Sequence, residues 1–196
     1  MLKVVICLAV FAVAAVLLVA GCKATRAGYE SAPYKVVRRD GKFEVRDYPA
    51  LTLVETSMAA EGSDGGFSRL FRFISGRNDA SRKIAMTTPV FMSGSAANAT
   101  MAFVMPANMT VAQVPGPADS SVKVRAIEAG RFAICRFRGG RNPKKEAEAI
   151  EKLKSWLEAE RMSAQSEPMF GYFDPPWTPA CLRRNEVMIR IQAGHP

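Results

Sequence analysis

The stretch Phe67-Ser68-Arg69-Leu70-Phe71-Arg72-Phe73-Ile74-Ser75-Gly76 carries the pattern on which the fold turns. Phe67, Leu70, Phe71 and Ile74 fall at i, i+3, i+4 and i+7, which draws one apolar face on a helix, and Gly76 stands where a helix C-cap is expected. Upstream, Tyr34 to Val37 and Phe43 to Tyr48 alternate apolar and polar around Asp40-Gly41, the signature of a hairpin. Pro49 breaks it, Leu51 to Met58 reads as a further strand, and the loop Glu61 to Gly66 leads into the helix. Downstream, Ile84 to Met92 and Met101 to Met105 read as two strands joined by Ser93 to Thr100, followed by a linker from Val111 to Ser121. The order then recurs: strands Val122 to Ile127 and Phe132 to Phe137, a helix from Pro143 to about Met162, and strands at Met169 to Phe173 and Val187 to Ile191. Asn142-Pro143 is a strong helix start, an Asn cap before Pro at the first helical position. Each half therefore reads strand, helix, strand, strand. That predicts a duplicated α+β domain whose sheet is large enough to curl towards a barrel.

The chain opens differently. Val4 to Ala20 is a run of seventeen uncharged residues preceded by Lys3, the plan of a secretory signal. It is short for a membrane span, which needs about twenty apolar residues. Val19-Ala20-Gly21-Cys22 resembles the lipobox of bacterial lipoproteins: an apolar residue, two small ones, and the cysteine whose thiol takes the diacylglycerol. Residues 1–21 are then a signal peptide and Cys22 a lipidation site, the alternative being an uncleaved anchor helix. Residue 23 is Lys rather than Asp, so the resemblance implies an outer membrane, facing the periplasm, in a host with two membranes. Residues 22–33 read as a tether, 34–192 as the folded domain and 193–196 as a tail.

Without residues 1–21, 26 Lys and Arg face 18 Asp and Glu, a net charge of +8 over 175 residues. A basic balance suits nucleic acid, an anionic membrane or an acidic ligand; the export signal argues against nucleic acid. Cys135 and Cys181 are the thiols left besides Cys22, and a bridge between them depends on geometry the sequence does not show. The single histidine, His195, is next to the terminus. Mechanisms that need a histidine base or a histidine-rich metal site are hard to build here, and no metal-ligand spacing is present.

Phe67 to Gly76, Asn78 and Lys83-Ile84-Ala85-Met86-Thr87-Thr88-Pro89-Val90 together resemble the SOUL family, also called the heme-binding protein family. Phe43-Glu44-Val45-Arg46-Asp47-Tyr48, Met101-Ala102-Phe103-Val104-Met105-Pro106 and Arg184-Asn185-Glu186-Val187 agree in order. The resemblance runs from about Tyr34 to Ile191. It implies a distorted antiparallel β-barrel of two pseudo-symmetric halves flanked by two helices, and heme or another tetrapyrrole in a shallow apolar groove. That groove is expected beside the first helix and near the loop before the last strand. Catalysis is not implied for most members; some are associated with removal of iron from heme, and an interaction module for a peptide or small apolar effector is a third reading.

A porphyrin is a flat apolar plate with two propionates, so its site needs apolar walls and basic side chains at one edge. Phe67, Leu70 and Phe71 offer a wall, or else are core; Arg69 and Arg72 match the helix-borne basic residues that the family places near the propionates. In the loop Asp174 to Arg184, Trp177 offers a ring face or a cap on the barrel end. Arg183 and Arg184 offer clamps for a second carboxylate, or Arg184 pairs with Glu186 or Asp47. Met86 and Met92 share one strand face and Met101 and Met105 another, as thioethers converging on a ligand or as adaptable core filler. The expected ligand is heme or a related porphyrin without a His axial ligand, and a monomer is expected.

Overall fold

The structure, a computed structural model, describes residues 28–58, 62–94 and 98–192. Residues 1–21, read from the sequence as a signal peptide, and Cys22 and His195 lie outside the described residues. Part of the stretch read as tether is folded: β1 (Glu30–Ser31) pairs in parallel with β5 (Thr87–Thr88), and Ala32 is buried behind it.

The Asp40-Gly41 turn, with Gly41 at φ 54°, joins β2 (Lys35–Asp40) to β3 (Phe43–Tyr48) as the alternation predicts. β4 (Leu51–Ser57) follows, then helix α1 (Gly62–Ile74). Gly76, at φ 109°, ends α1 as the C-cap reading predicts, and the Arg77 N–H returns to the Arg72 carbonyl, 3.0 Å away. Behind it Asn78 is buried: its amide donates to the carbonyls of Phe73 and Arg82 (3.0 and 2.7 Å) and accepts the Arg82 N–H (2.9 Å). Asn78→Ala strands these backbone groups and is expected to cost about 1–3 kcal/mol in urea unfolding.

The stretch Ile84 to Met92 is not one strand. Pro89 has no N–H to give a ladder, so pairing is split between β5 and β6 (Val90–Ser93). Then come β7 (Thr100–Val104), β8 (Val122–Ile127) and β9 (Gly130–Arg138). Helix α2 (Pro143–Ala159) is capped by the Asn142 side chain, which accepts from the N–H groups of Lys144 and Lys145. β10 (Met169–Tyr172) and β11 (Arg184–Ile191) are the last of the described strands.

The nine strands β2-β3-β9-β11-β10-β6-β7-β4-β8 lie in that order in one curled antiparallel sheet, an α+β distorted barrel with, among the described residues, two α-helices. The halves interlock. β3 leads into β4 yet pairs with β9; β8 leads into β9 yet pairs with β4. The halves also meet where β6 pairs with β10. Strand parity sends Tyr48, Leu53, Phe91, Phe132, Ile134 and Met188 into the concave core. On the convex face α1 covers β4 and β7 while α2 covers β9 and β11.

A charged cluster is sealed beside the concave core. Arg46 is fully buried, donating to Glu44 (2.7 Å), to both oxygens of Glu186 (2.7 and 2.9 Å) and to the Tyr48 hydroxyl (3.1 Å). Burial works against its charge, but the hydrogen bond and charge of Glu186 outweigh it and hold the guanidinium protonated. Burial pushes the Glu44 carboxyl up, but Arg46, Arg136 and Arg39 bring it below the usual carboxylate range. Burial raises the Tyr48 phenol to about 12.

Candidate functional site

α1 packs on the sheet at Gly66, where a Cβ would make ordinary van der Waals contact with Met58, Thr56 and Met101 at 3.6 to 3.8 Å. Leu70, Phe73 and Ile74 face inward and are buried. Phe67 and Phe71, one turn apart, lie on one flank and are 41% and 49% exposed. Their rings stack at 5.9 Å, and Phe67 meets the buried Phe103 ring edge-on at 5.2 Å. Phe103 is opposite Val90 of β6, so this flank faces β6.

Across β6, the register sets Phe170 opposite Met92 and Tyr172 opposite Val90. By parity these four half-buried side chains share the convex face, between the helices. Phe170 stacks on Tyr172 at 6.3 Å and meets Phe137 edge-on. The Tyr172 hydroxyl donates to Glu146 in the first turn of α2 at 2.8 Å, and the Arg141 guanidinium lies 5.9 Å from the Tyr172 ring centre. Burial, then the Glu146 hydrogen bond, raise the Tyr172 phenol well above its ordinary value, so it stays a neutral donor. The result is an apolar strip three elements wide, floored by β6 and β10, bordered by α1 and ending at Arg141.

Phe67 and Phe71 border this strip, but Leu70 beneath them is wholly buried and lends support only. Arg69 is on the opposite flank and only 7% exposed, its Nε donating to Thr56 Oγ1 and another nitrogen to the Ser57 carbonyl. Two residues on a helix turn by about 200°, which separates Arg69 from Phe67. Arg72 is exposed and shares that side: hydrogen bonds from Ser121, with the charges of Arg69 and Arg72, hold Asp119 below the usual carboxylate range. The helix arginines thus flank β4 rather than the strip.

Met86 and Met92 pack half-buried against the cluster that includes Met101 and Met105, so the four methionines do converge, as filler beneath α1. Arg183 clamps its own loop through the carbonyls of Thr178 and Pro176. Arg184 is on the concave side. It bonds Glu186 (2.7 Å) and the Tyr34 hydroxyl (3.2 Å) and lies 4.0 Å from the Phe173 ring centre, which settles its pairing on Glu186. Trp177 is 72% exposed on the loop that leaves the Tyr172 end of the strip. Cys135 and Cys181 are free thiols, the first buried and the second exposed. Among the described residues no His, Cys, Asp and Glu side chains cluster so as to hold a metal ion.

Val90, Phe170, Tyr172, Glu146 and Arg141 line or end the strip without having stood out as ligand-binding residues in the sequence, whereas Met92 stands out there as a thioether or core filler. Arg141 had a legible signal, a cation just before the Asn142-Pro143 cap.

The family model described as SOUL heme-binding protein matches residues 29–190. The chain belongs to the SOUL heme-binding protein family. No curated protein sequence matches it. Several solved structures share the SOUL chain's fold at low identity. The EcmrR C-terminal domain is 12% identical with a TM-score of 0.59, covering 81% of this chain and 98% of its own. A hydrolase from Listeria innocua is 11% identical (TM-score 0.56, 80% and 94% covered), and an uncharacterized conserved protein from the same organism is 11% identical (TM-score 0.59, 77% and 92%). At these identities the likeness is one of fold.

Proposed function

We propose that this SOUL protein is a lipid-anchored envelope protein that binds heme or a related tetrapyrrole on the strip between its helices. The observation that carries the reading is the run of aromatic and aliphatic side chains Phe67, Phe71, Met92, Phe170 and Tyr172 on one face, open to solvent at the stacked phenylalanines. A flat ligand gains by stacking there. Arg141, at the Tyr172 end, is placed for a propionate, the role that the family resemblance implied for Arg69 and Arg72. With Tyr172 held neutral and bonded to Glu146, no phenolate is offered to iron, and the faces and edge of the plate supply its main contacts. The anchor reading rests on Val19-Ala20-Gly21-Cys22 and on the apolar run before it. It makes the chain a carrier or scavenger at a membrane outside the cytoplasm.

Titration of the purified chain with hemin should shift the Soret band. Phe67→Ala with Phe71→Ala, and separately Arg141→Glu, should each weaken binding about tenfold, the size of one lost stacking pair or charge-assisted bond. Arg69→Glu should instead unfold the α1–β4 contact. A titration with no Soret shift at micromolar protein sinks the proposal.

A further inference from the structure

The N-terminal segment, the Trp177 loop and a set of exposed cations meet at one end of the barrel. The chain enters through β1, whose Glu30 and Ser31 lie beside Thr87 and Thr88, while the Glu30 carboxylate accepts the Ala107 N–H. Thr87 in turn donates to the carbonyl of Val104, the last residue of β7, and β6 starts at Val90 opposite the end of β10. From that end of β10 runs the loop bearing Trp177, which three prolines and the Arg183 hydrogen bonds hold stiff. α1 runs along β7 from Met101 towards Phe103, so its C-terminal loop with Arg77, Arg82 and Lys83 arrives here. α2 starts here too, with Arg141 and Lys144, because β9 ends at Arg138 opposite Arg184. All five cations are exposed.

We infer that this end of the barrel docks on an anionic phospholipid surface, with Trp177 seated at the headgroup level. Tryptophan partitions to that level because its ring is apolar and its N–H is polar, and clustered Lys and Arg are drawn to anionic lipid. The inference rests on the reading that residues 1–22 attach the chain to a membrane, and it holds whether Cys22 is acylated or the apolar run stays in place. Either way the bilayer surface lies near residue 22. Seven residues, eight Cα–Cα steps, separate Cys22 from Glu30, a reach of at most about 29 Å at full extension, so the end of the barrel from which that chain emerges is the end held at the surface. Docked in this way, the Tyr172 end of the strip opens on the headgroups. An apolar ligand then passes between bilayer and strip without crossing free water.

The test uses the full chain in vesicles of phosphatidylcholine with or without phosphatidylglycerol, brominated high on the acyl chains. Trp156, stacked on Phe43 in the core, supplies a constant background. Bromolipid should quench emission in the phosphatidylglycerol vesicles, Trp177→Phe should abolish that quenching, and Arg82→Glu with Lys83→Glu should remove about half of it or more. Flotation with the vesicles but equal quenching in wild type and Trp177→Phe overturns the docking alone. A chain that does not float overturns docking and anchoring together. Hemin binding, read separately in detergent, bears on neither.

Discussion

Arg46→Ala is expected to lower stability by about 3–5 kcal/mol, a large part of the roughly 5–15 kcal/mol available to a domain. Arg46 bonds both Glu44 and Glu186, and all three are sealed from water. Without it two buried carboxylates are left to Arg39, Arg136 and Arg184 at the margin. Glu186→Gln in the same chain should restore part of the loss, since it removes an under-compensated charge. The pH profile gives a second readout. The folded-state value of Glu44 lies below its unfolded one, so its contribution is present above the ordinary carboxylate range and is lost as pH falls through the depressed folded value. Urea midpoints followed downward from neutral pH should fall steeply across that window in the wild type and less steeply in Arg46→Ala. Equal slopes would show that the cluster does not govern acid stability.

Phe103→Ala should be comparably severe, about 3–5 kcal/mol, because it empties a ring-sized volume between β7 and α1. The ring is buried against Val54, Leu70 and Phe73, and its edge supports Phe67. Phe67→Ala, at an exposed position, should cost under about 1 kcal/mol. The pair separates fold from site: both should weaken hemin binding, but Phe103→Ala alone should lower the urea midpoint strongly. A Phe103→Ala chain as stable as the wild type would mean that α1 is not held through β7.

Much of this architecture is legible in the chain before it folds. The 3.6-residue stripe of α1, the Asn142-Pro143 cap of α2, the Asp40-Gly41 hairpin and the recurrence of elements are local signals, each written in adjacent residues. The exchange of β3 and β8 between the halves is not, because antiparallel pairing depends on what the chain meets many residues later. Glu44, Arg46 and Glu186 stand in two of the motifs that mark the family, yet nothing in either motif says that Arg46 and Glu186 bond one another across 140 positions. The site shows the same division. Arg69 and Phe67 both border the apolar face of α1, and sequence alone treats the two borders alike. Their fates differ because β4 offers Arg69 the Thr56 hydroxyl and the Ser57 carbonyl, while β7 offers Phe67 the edge of the Phe103 ring.

The family, the α+β duplication, the two helices and the apolar N-terminal run can all be read from residues alone, since each is encoded at short range or in ordered motifs. Three things came from the folded chain: which flank of α1 meets the strip, that Arg184 closes on Glu186, and that the N-terminal segment and Trp177 share one end of the barrel. Those follow from register and strand order, which bring together residues whose partners the chain cannot name in advance.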